Sequence, residues 1–322
     1  MRYLLIAWFL IVTFTQSAYS QRWTRERHHL IVGLGGSGFM GDLGGADDIG
    51  TQGIRDFDFS AVRPAFMLGY RYMLFQNIGI TGNLSFGYVS GDDKYTEETF
   101  RNNRNIHFRS PILELSSTVQ VYLLRLDRQG ARYRSLTGAR VAGSLGLSAY
   151  LFAGVGGFYF NPQGYFEGAN YTGNIPTEEL PADGWYNLRP LRTEGQGFFE
   201  TRDQYSPFSI AIPFGLGAMI QINRDISIGF QYGFRKTFTD YIDDVSTTYV
   251  DPAIYSIIFE DPARVALAEY FANPTNNQLS KNVTAPGQQR GNPFNTDAYM
   301  FGFITVYYKI PDFRRPYGVL RF

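Results

Sequence analysis

The chain has 322 residues with 29 Lys+Arg against 29 Asp+Glu, and a formal net charge of zero leaves a nucleic-acid role without electrostatic support. It contains no cysteine, which excludes a disulfide framework, a thiolate metal site and an acylated cysteine at a mature N-terminus. Charged residues make up 18% of the chain, below the ~25% of an average soluble domain, whereas Phe, Gly and Tyr number 28, 35 and 23.

Residues 1–20 carry a basic Arg2, an apolar run over 4–14 and the small-residue stretch Ala18-Tyr19-Ser20. This pattern predicts a secretory signal peptide cut after Ser20. No later segment offers the ~20 apolar residues of a spanning helix. Beyond residue 28 the chain repeats stretches with a period of two, the signature of β-strands. The first covers about 29–37, with Leu30, Val32 and Leu34 on one face and Ile31 and Gly33 on the other. The second (64–74) and third (78–88) flank a tight turn at 75–77, the strongest hairpin signal in the chain. A fourth strand is centred on 113–123. The fifth, within 143–160, sets Leu147, Ala149, Leu151 and Val155 against Ser148, Tyr150, Phe152 and Gly154. The sixth (208–221) and seventh (226–235) flank the turn Asn223-Arg224-Asp225, and the last covers 297–309.

The connections sort by length. Long ones (38–63, 89–109, 161–207, 236–296) alternate with the turns at 75–77 and 222–225 and the Arg-rich connection 125–142. The fold class this predicts is all-β: an eight-stranded antiparallel transmembrane β-barrel with long extracellular loops and short periplasmic turns, in an outer membrane. The barrel would occupy 21–310 and a periplasmic tail 311–322. Eight strands leave an interior just filled by side chains, so a packed polar lumen is expected, with Gly, Ser, Thr, Asn and Gln facing inward beside Arg71, Glu114 and Arg235. An aliphatic and aromatic set would face lipid. A soluble lipocalin-like barrel would need the reverse arrangement.

Few motifs suggest chemistry. Asp240, Asp243 and Asp244 are the densest acids and could hold calcium; their spacing is not that of an EF-hand, and such loops commonly bond their own backbone. The glycines of 39–50 lack the Gly-Lys-Ser/Thr ending of a phosphate loop. Only His28, His29 and His107 are available as bases, so no enzyme and no cofactor is expected. Arg125, Arg128, Arg132, Arg134 and Arg140, with Arg314 and Arg315 in the tail, make the periplasmic side basic and suited to an acidic partner; a solvated turn is the plainer reading. Residues 261–274 predict a helix with Asp261 as its cap, Pro262 at its first position and Asn273-Pro274 at its end.

Seven tracts are more specific: FMGDLGG (39–45), FRNNRN (100–105), FRSPILELS (108–116), YLFAGVGGFYFNP (150–162), LRPLRTEGQG (188–197), FTDYIDDVSTTYVDP (238–252) and TAPGQQRGNP (284–293). Together they resemble the PorG-like family of outer-membrane β-barrels of the Bacteroidetes, over nearly the whole mature chain. The resemblance implies a component of the type IX secretion system, associated with a periplasmic ring of PorK-like lipoprotein and PorN-like protein and anchoring it to outer-membrane lipids. In gliding relatives that system also supports motility. The family supplies no catalytic residues. The alternative, from a different class, is a surface binding or adhesion barrel that uses its long outer loops.

Overall fold

The computed structural model describes residues 27–41, 43, 62–95, 98–125, 146–276 and 278–310. In chain order the strands are β1 (His28–Met40), β2 (Arg63–Met73), β3 (Ile78–Asp92), β4 (His107–Arg125), β5 (Leu147–Phe160), β6 (Gln163–Phe166), β7 (Gly184–Asn187), β8 (Phe208–Gln221), β9 (Ile226–Thr237) and β10 (Ala298–Ile310). Eight of them close a barrel in which each strand is antiparallel to both neighbours. The closing seam joins β1 to β10, from His28 opposite Ile310 to Met40 opposite Ala298. Closure leaves no sheet edge within the barrel, the condition for placing strands in lipid.

Burial alternates along the strands as the period of two requires. Leu30, Leu68, Leu84, Leu115, Leu151, Ile212, Phe230 and Ile304 are exposed on the outer wall, and every barrel strand contributes to this apolar belt. Soluble monomers rarely expose contiguous apolar surface beyond a few hundred Å², so a belt around the whole circumference is a lipid-facing surface. The two ends of the barrel differ. One carries the chain ends of β1 and β10 and the turns at 74–77 and 222–225, and the other carries the long connections.

Three features depart from the sequence reading. First, β3 and β4 are longer than expected, because 89–92 and 107–109 are strand and not loop. β4 has 19 residues, about 60 Å at ~3.3 Å each, and outruns a ~30 Å hydrocarbon core even when tilted. Pro111 hid this extension. Pairing of β4 with β5 begins only at Ile112 opposite Phe160, so Pro111 lies past the end of that ladder, where its missing N–H leaves no bond unmade.

Second, the lumen is aromatic as well as polar. Tyr299, Phe301, Phe303 and Tyr307 of β10 point inward and are buried, as are Phe158 and Phe160 of β5, beside Tyr150 and Phe152, which the alternation sets opposite the apolar face. The inward glycines make this possible. A Cβ on Gly217 would lie 2.3 Å from the Tyr150 ring, so that ring occupies the space over the glycine.

Third, the long connections fold. After β3, α1 (Thr99–Arg104) is capped by Glu98. The β6–β7 hairpin extends the wall above β4. Further along come α2 (Tyr255–Ile258) and α3 (Pro262–Ala272), with Asp261 capping α3 and Asn273 ending it as expected. Phe166, Leu188, Leu191, Tyr255, Val265, Ala268 and Phe271 form a separate hydrophobic core beneath α3. The loops are a cap with an interior of its own.

Candidate functional site

In the lumen, Glu114 of β4 accepts from Arg235 Nε of β9 at 3.1 Å and from the Tyr299 hydroxyl of β10 at 2.8 Å, all through Oε2. The Arg235 guanidinium also lies 4.8 Å from the Phe301 ring centroid. Toward the terminal end, the Tyr150 hydroxyl donates to Gln231 at 3.0 Å and shares a bond with the Tyr307 hydroxyl at 2.7 Å. Arg71, Glu114 and Arg235 thus face inward as the alternation predicts. They act with the aromatics to fill the interior.

The cap is held by a second buried ion pair. Arg290 Nη1 donates to Glu194 Oε1 at 2.8 Å and to the Asp244 carbonyl at 2.7 Å, and Nη2 donates to the Phe271 carbonyl at 3.2 Å. Glu194 in turn accepts from the Ser246 and Thr247 amides at 2.9 and 3.0 Å and from the Thr247 hydroxyl at 2.6 Å. Asp244 accepts from the Thr193 hydroxyl at 2.5 Å and the Tyr205 hydroxyl at 2.6 Å. On the other side, Arg104 pairs with Asp93 at 2.7 Å and reaches the Arg290 carbonyl at 2.8 Å. The backbone here is shaped for these contacts: Arg192, Gly195, Gly197 and Asp244 all have positive φ, a region glycine adopts freely and Asp or Asn tolerate.

Electrostatics follow the geometry. Burial pushes the Asp244 carboxyl up to about 6, against the pull of Arg290 and the hydroxyls of Thr193 and Tyr205. Burial and then the Asp244 charge hold the Tyr205 hydroxyl well above its ordinary value. Burial alone would lower Arg290; the adjacent Glu194 and Asp244 outweigh it and raise it.

Four of the tracts that carry the family resemblance meet in this network: 100–105, 188–197, 238–252 and 284–293. Nothing local in sequence announces the meeting. Arg290 and Glu194 are 96 residues apart, and Arg104 and the Arg290 carbonyl are 186 apart. Asp243 and Asp244, two of the three acids considered for calcium, are engaged by the protein itself. Asp243 accepts from the Leu43 amide at 3.2 Å and the Val245 amide at 3.0 Å. Asp240 is buried on the same stretch. Among the described residues, no group of three or more His, Cys, Asp or Glu is placed to hold a metal ion. His107 Nε2 accepts from the Tyr165 amide at 3.1 Å.

At the terminal end, Arg125 donates to the Gln76 carbonyl and lies 5.8 Å from the Tyr122 ring centroid. Arg128, Arg132, Arg134, Arg140, Arg314 and Arg315, like the segments expected to be signal peptide and tail, lie outside the described residues. The structure adds a basic pocket at this mouth that the sequence reading did not assemble. Among the described residues it is lined by Arg71, Arg125, Arg224 and Lys309 with His29 and a single acid, Asp225. The inward parity of Arg71 was its one legible signal.

No protein-family model matches the sequence, and no curated protein matches it. Among solved structures, the chain is similar to Ail, the attachment invasion locus protein of Yersinia pestis, solved in complex with the heparin analogue sucrose octasulfate: 8% identity, TM-score 0.35, 89% of this chain and 99% of that one covered. Neisserial surface protein A is similar at 6% identity and TM-score 0.35, covering 88% and 97%. The ΔS2S3 mutant of the monoaromatic hydrocarbon channel TodX gives 11% identity and TM-score 0.24, covering 66% and 48%. The fold of this chain rests on its own strand pairings, a closed antiparallel barrel of eight strands, and not on these likenesses.

Proposed function

We propose that this protein is a non-catalytic outer-membrane barrel that serves as a structural component of the type IX secretion system, holding a periplasmic ring of PorK-like lipoprotein and PorN-like protein to the outer membrane. The apolar belt supports the membrane, and the long loops on one end support its orientation, with the termini in the periplasm. The observation that carries the reading is the cap. Four of the tracts resembling the PorG-like family come together in one buried network, which supports their reading as parts of a shared architecture. A lumen filled by Glu114, Arg235, Tyr299 and the aromatics of β5 and β10 suits an anchor better than a conduit.

The docking surface in this reading is the basic terminal end, with Arg125 at its rim and Arg128, Arg132, Arg134, Arg140, Arg314 and Arg315 in the adjoining segments. Purifying the tagged protein from its own outer membranes in mild detergent should bring both ring proteins along in near-constant proportion. The combined change Arg128→Glu, Arg132→Glu, Arg134→Glu and Arg140→Glu should release them while the barrel stays folded, as judged by its heat-dependent gel mobility. Recovery of a lone barrel under conditions that keep the ring intact would sink this reading. It would favour the surface-binding alternative, to which Phe100, Ile257 and Phe294 lend some weight because they stand exposed on the cap.

A further inference from the structure

The pocket at the terminal mouth holds a buried cation that no carboxylate pairs with among the described residues. Arg71 is 2% exposed and lies inside the barrel wall. Its guanidinium donates to the Tyr122 hydroxyl, reaches Met219 Sδ at 3.7 Å and sits 4.6 Å from the Tyr307 ring centroid. Its Nε has no hydrogen-bond partner among the described residues, and the ion pairs found there join other residues. A buried charge left this way is costly unless something pairs with it. Aromatic faces and a neutral hydroxyl compensate only in part.

Arg224, Arg125 and Lys309 line the same cavity, with Asp225 its one carboxylate among the described residues. The cavity measures ≈ 550 Å³ counting its open mouth. Low-dielectric walls focus the field of clustered like charges and raise the local concentration of counter-ions. A guanidinium offers paired donors that match the oxygens of phosphate or carboxylate. Two guanidiniums on one cavity, those of Arg71 and Arg224, suit an anion able to carry two charges better than a monocarboxylate. Arg71, Tyr122 and Met219 point into the lumen, so the barrel wall separates the pocket from the bilayer's hydrocarbon, and its occupant enters from water.

We propose that the terminal mouth of the barrel is a binding site for a phosphate-class oxyanion, received by Arg71 at its floor and by Arg125, Arg224 and Lys309 around it. The proposal needs only the barrel and its mouth, so it stands or falls apart from the ring contact. The probe is inorganic phosphate, titrated by calorimetry at constant ionic strength into the full-length barrel in non-ionic, phosphate-free detergent.

Saturable one-site binding is expected, with Kd raised at least tenfold in Arg71→Met and two- to fivefold in Arg224→Gln. Folding of each variant is checked by heat-dependent gel mobility. Arg224 sits on a turn, so Arg224→Gln decides the matter if Arg71→Met does not fold. Signal that rises without saturating, or a Kd that no folded variant changes, would overturn the site. Repeating the titration in nanodiscs identifies the natural source. An unchanged Kd in phosphatidylglycerol relative to phosphatidylcholine points to a free phosphate, and loss of the titration in phosphatidylglycerol points to a lipid headgroup reaching over the rim.

Discussion

Asp244 shows how one buried acid can set the pH response of a whole cap. Its carboxyl is held at about 6 in the folded protein against an ordinary 3.8. The folded state therefore keeps this proton more tightly than the unfolded one. The contribution to stability is present in full below pH ~4, declines as pH rises, and is gone above pH ~6. At 1.36 kcal/mol per pH unit the swing is at most ~3 kcal/mol. Asp244→Asn should remove it, since the amide cannot ionise and Asn tolerates the φ of +63° found here. Amide-exchange protection of 238–252, corrected for intrinsic rates, should fall between pH 4 and 7 in the wild type and stay level in the variant. Parallel pH profiles in the two proteins would mean that another group governs the cap.

At the scale of elements, α3 was legible from end to end because its signals are local. Asp261 accepts from the Ala263 amide at 3.2 Å, Pro262 opens the helix where a missing N–H costs nothing, and Asn273 closes it. Asp261→Ala should cost about 1 kcal/mol, a typical loss for an N-cap. Exchange across Pro262–Ala272 would then quicken roughly fivefold, and no change there would show that the core beneath the helix holds it without the cap. The barrel strands were legible for a similar reason, because alternation needs only the chain's own neighbours. The β6–β7 hairpin was not. Its strands are four residues each and carry too little alternation to stand out. The partners of Glu194 and Arg290 were likewise invisible, since a charge does not announce which distant charge it will meet. The inward turn of the β10 aromatics had a further cause: Tyr and Phe suit a lipid interface as well as a packed lumen, and composition cannot choose between them.

For the molecule as a whole, the lumen lock joins strands far apart in the chain. Glu114 and Tyr299 are separated by 185 residues. Glu114→Ala would leave Arg235 buried without its carboxylate, a loss of about 3–5 kcal/mol by analogy with other broken buried pairs. The midpoint of heat-dependent gel mobility should drop accordingly. Conductance across a planar bilayer should stay closed in both proteins, because the aromatic rings still fill the bore. Steady channel openings in the wild type would contradict the packed lumen.

The cap's wiring also bears on the order of assembly. Arg290 lies on the connection that leads directly into β10; Asp244 and Phe271, which it also binds, share that connection, whereas Glu194 and Arg104 sit on two earlier ones. The lid therefore cannot be completed until the last connection has arrived, just ahead of the strand that seals the seam with β1. A chain halted before that step would present Glu194 without the cation it pairs with. Completion of the lid thus coincides with closure of the barrel, so limited proteolysis of a chain truncated before Arg290 should cut within 188–197 where the full chain resists.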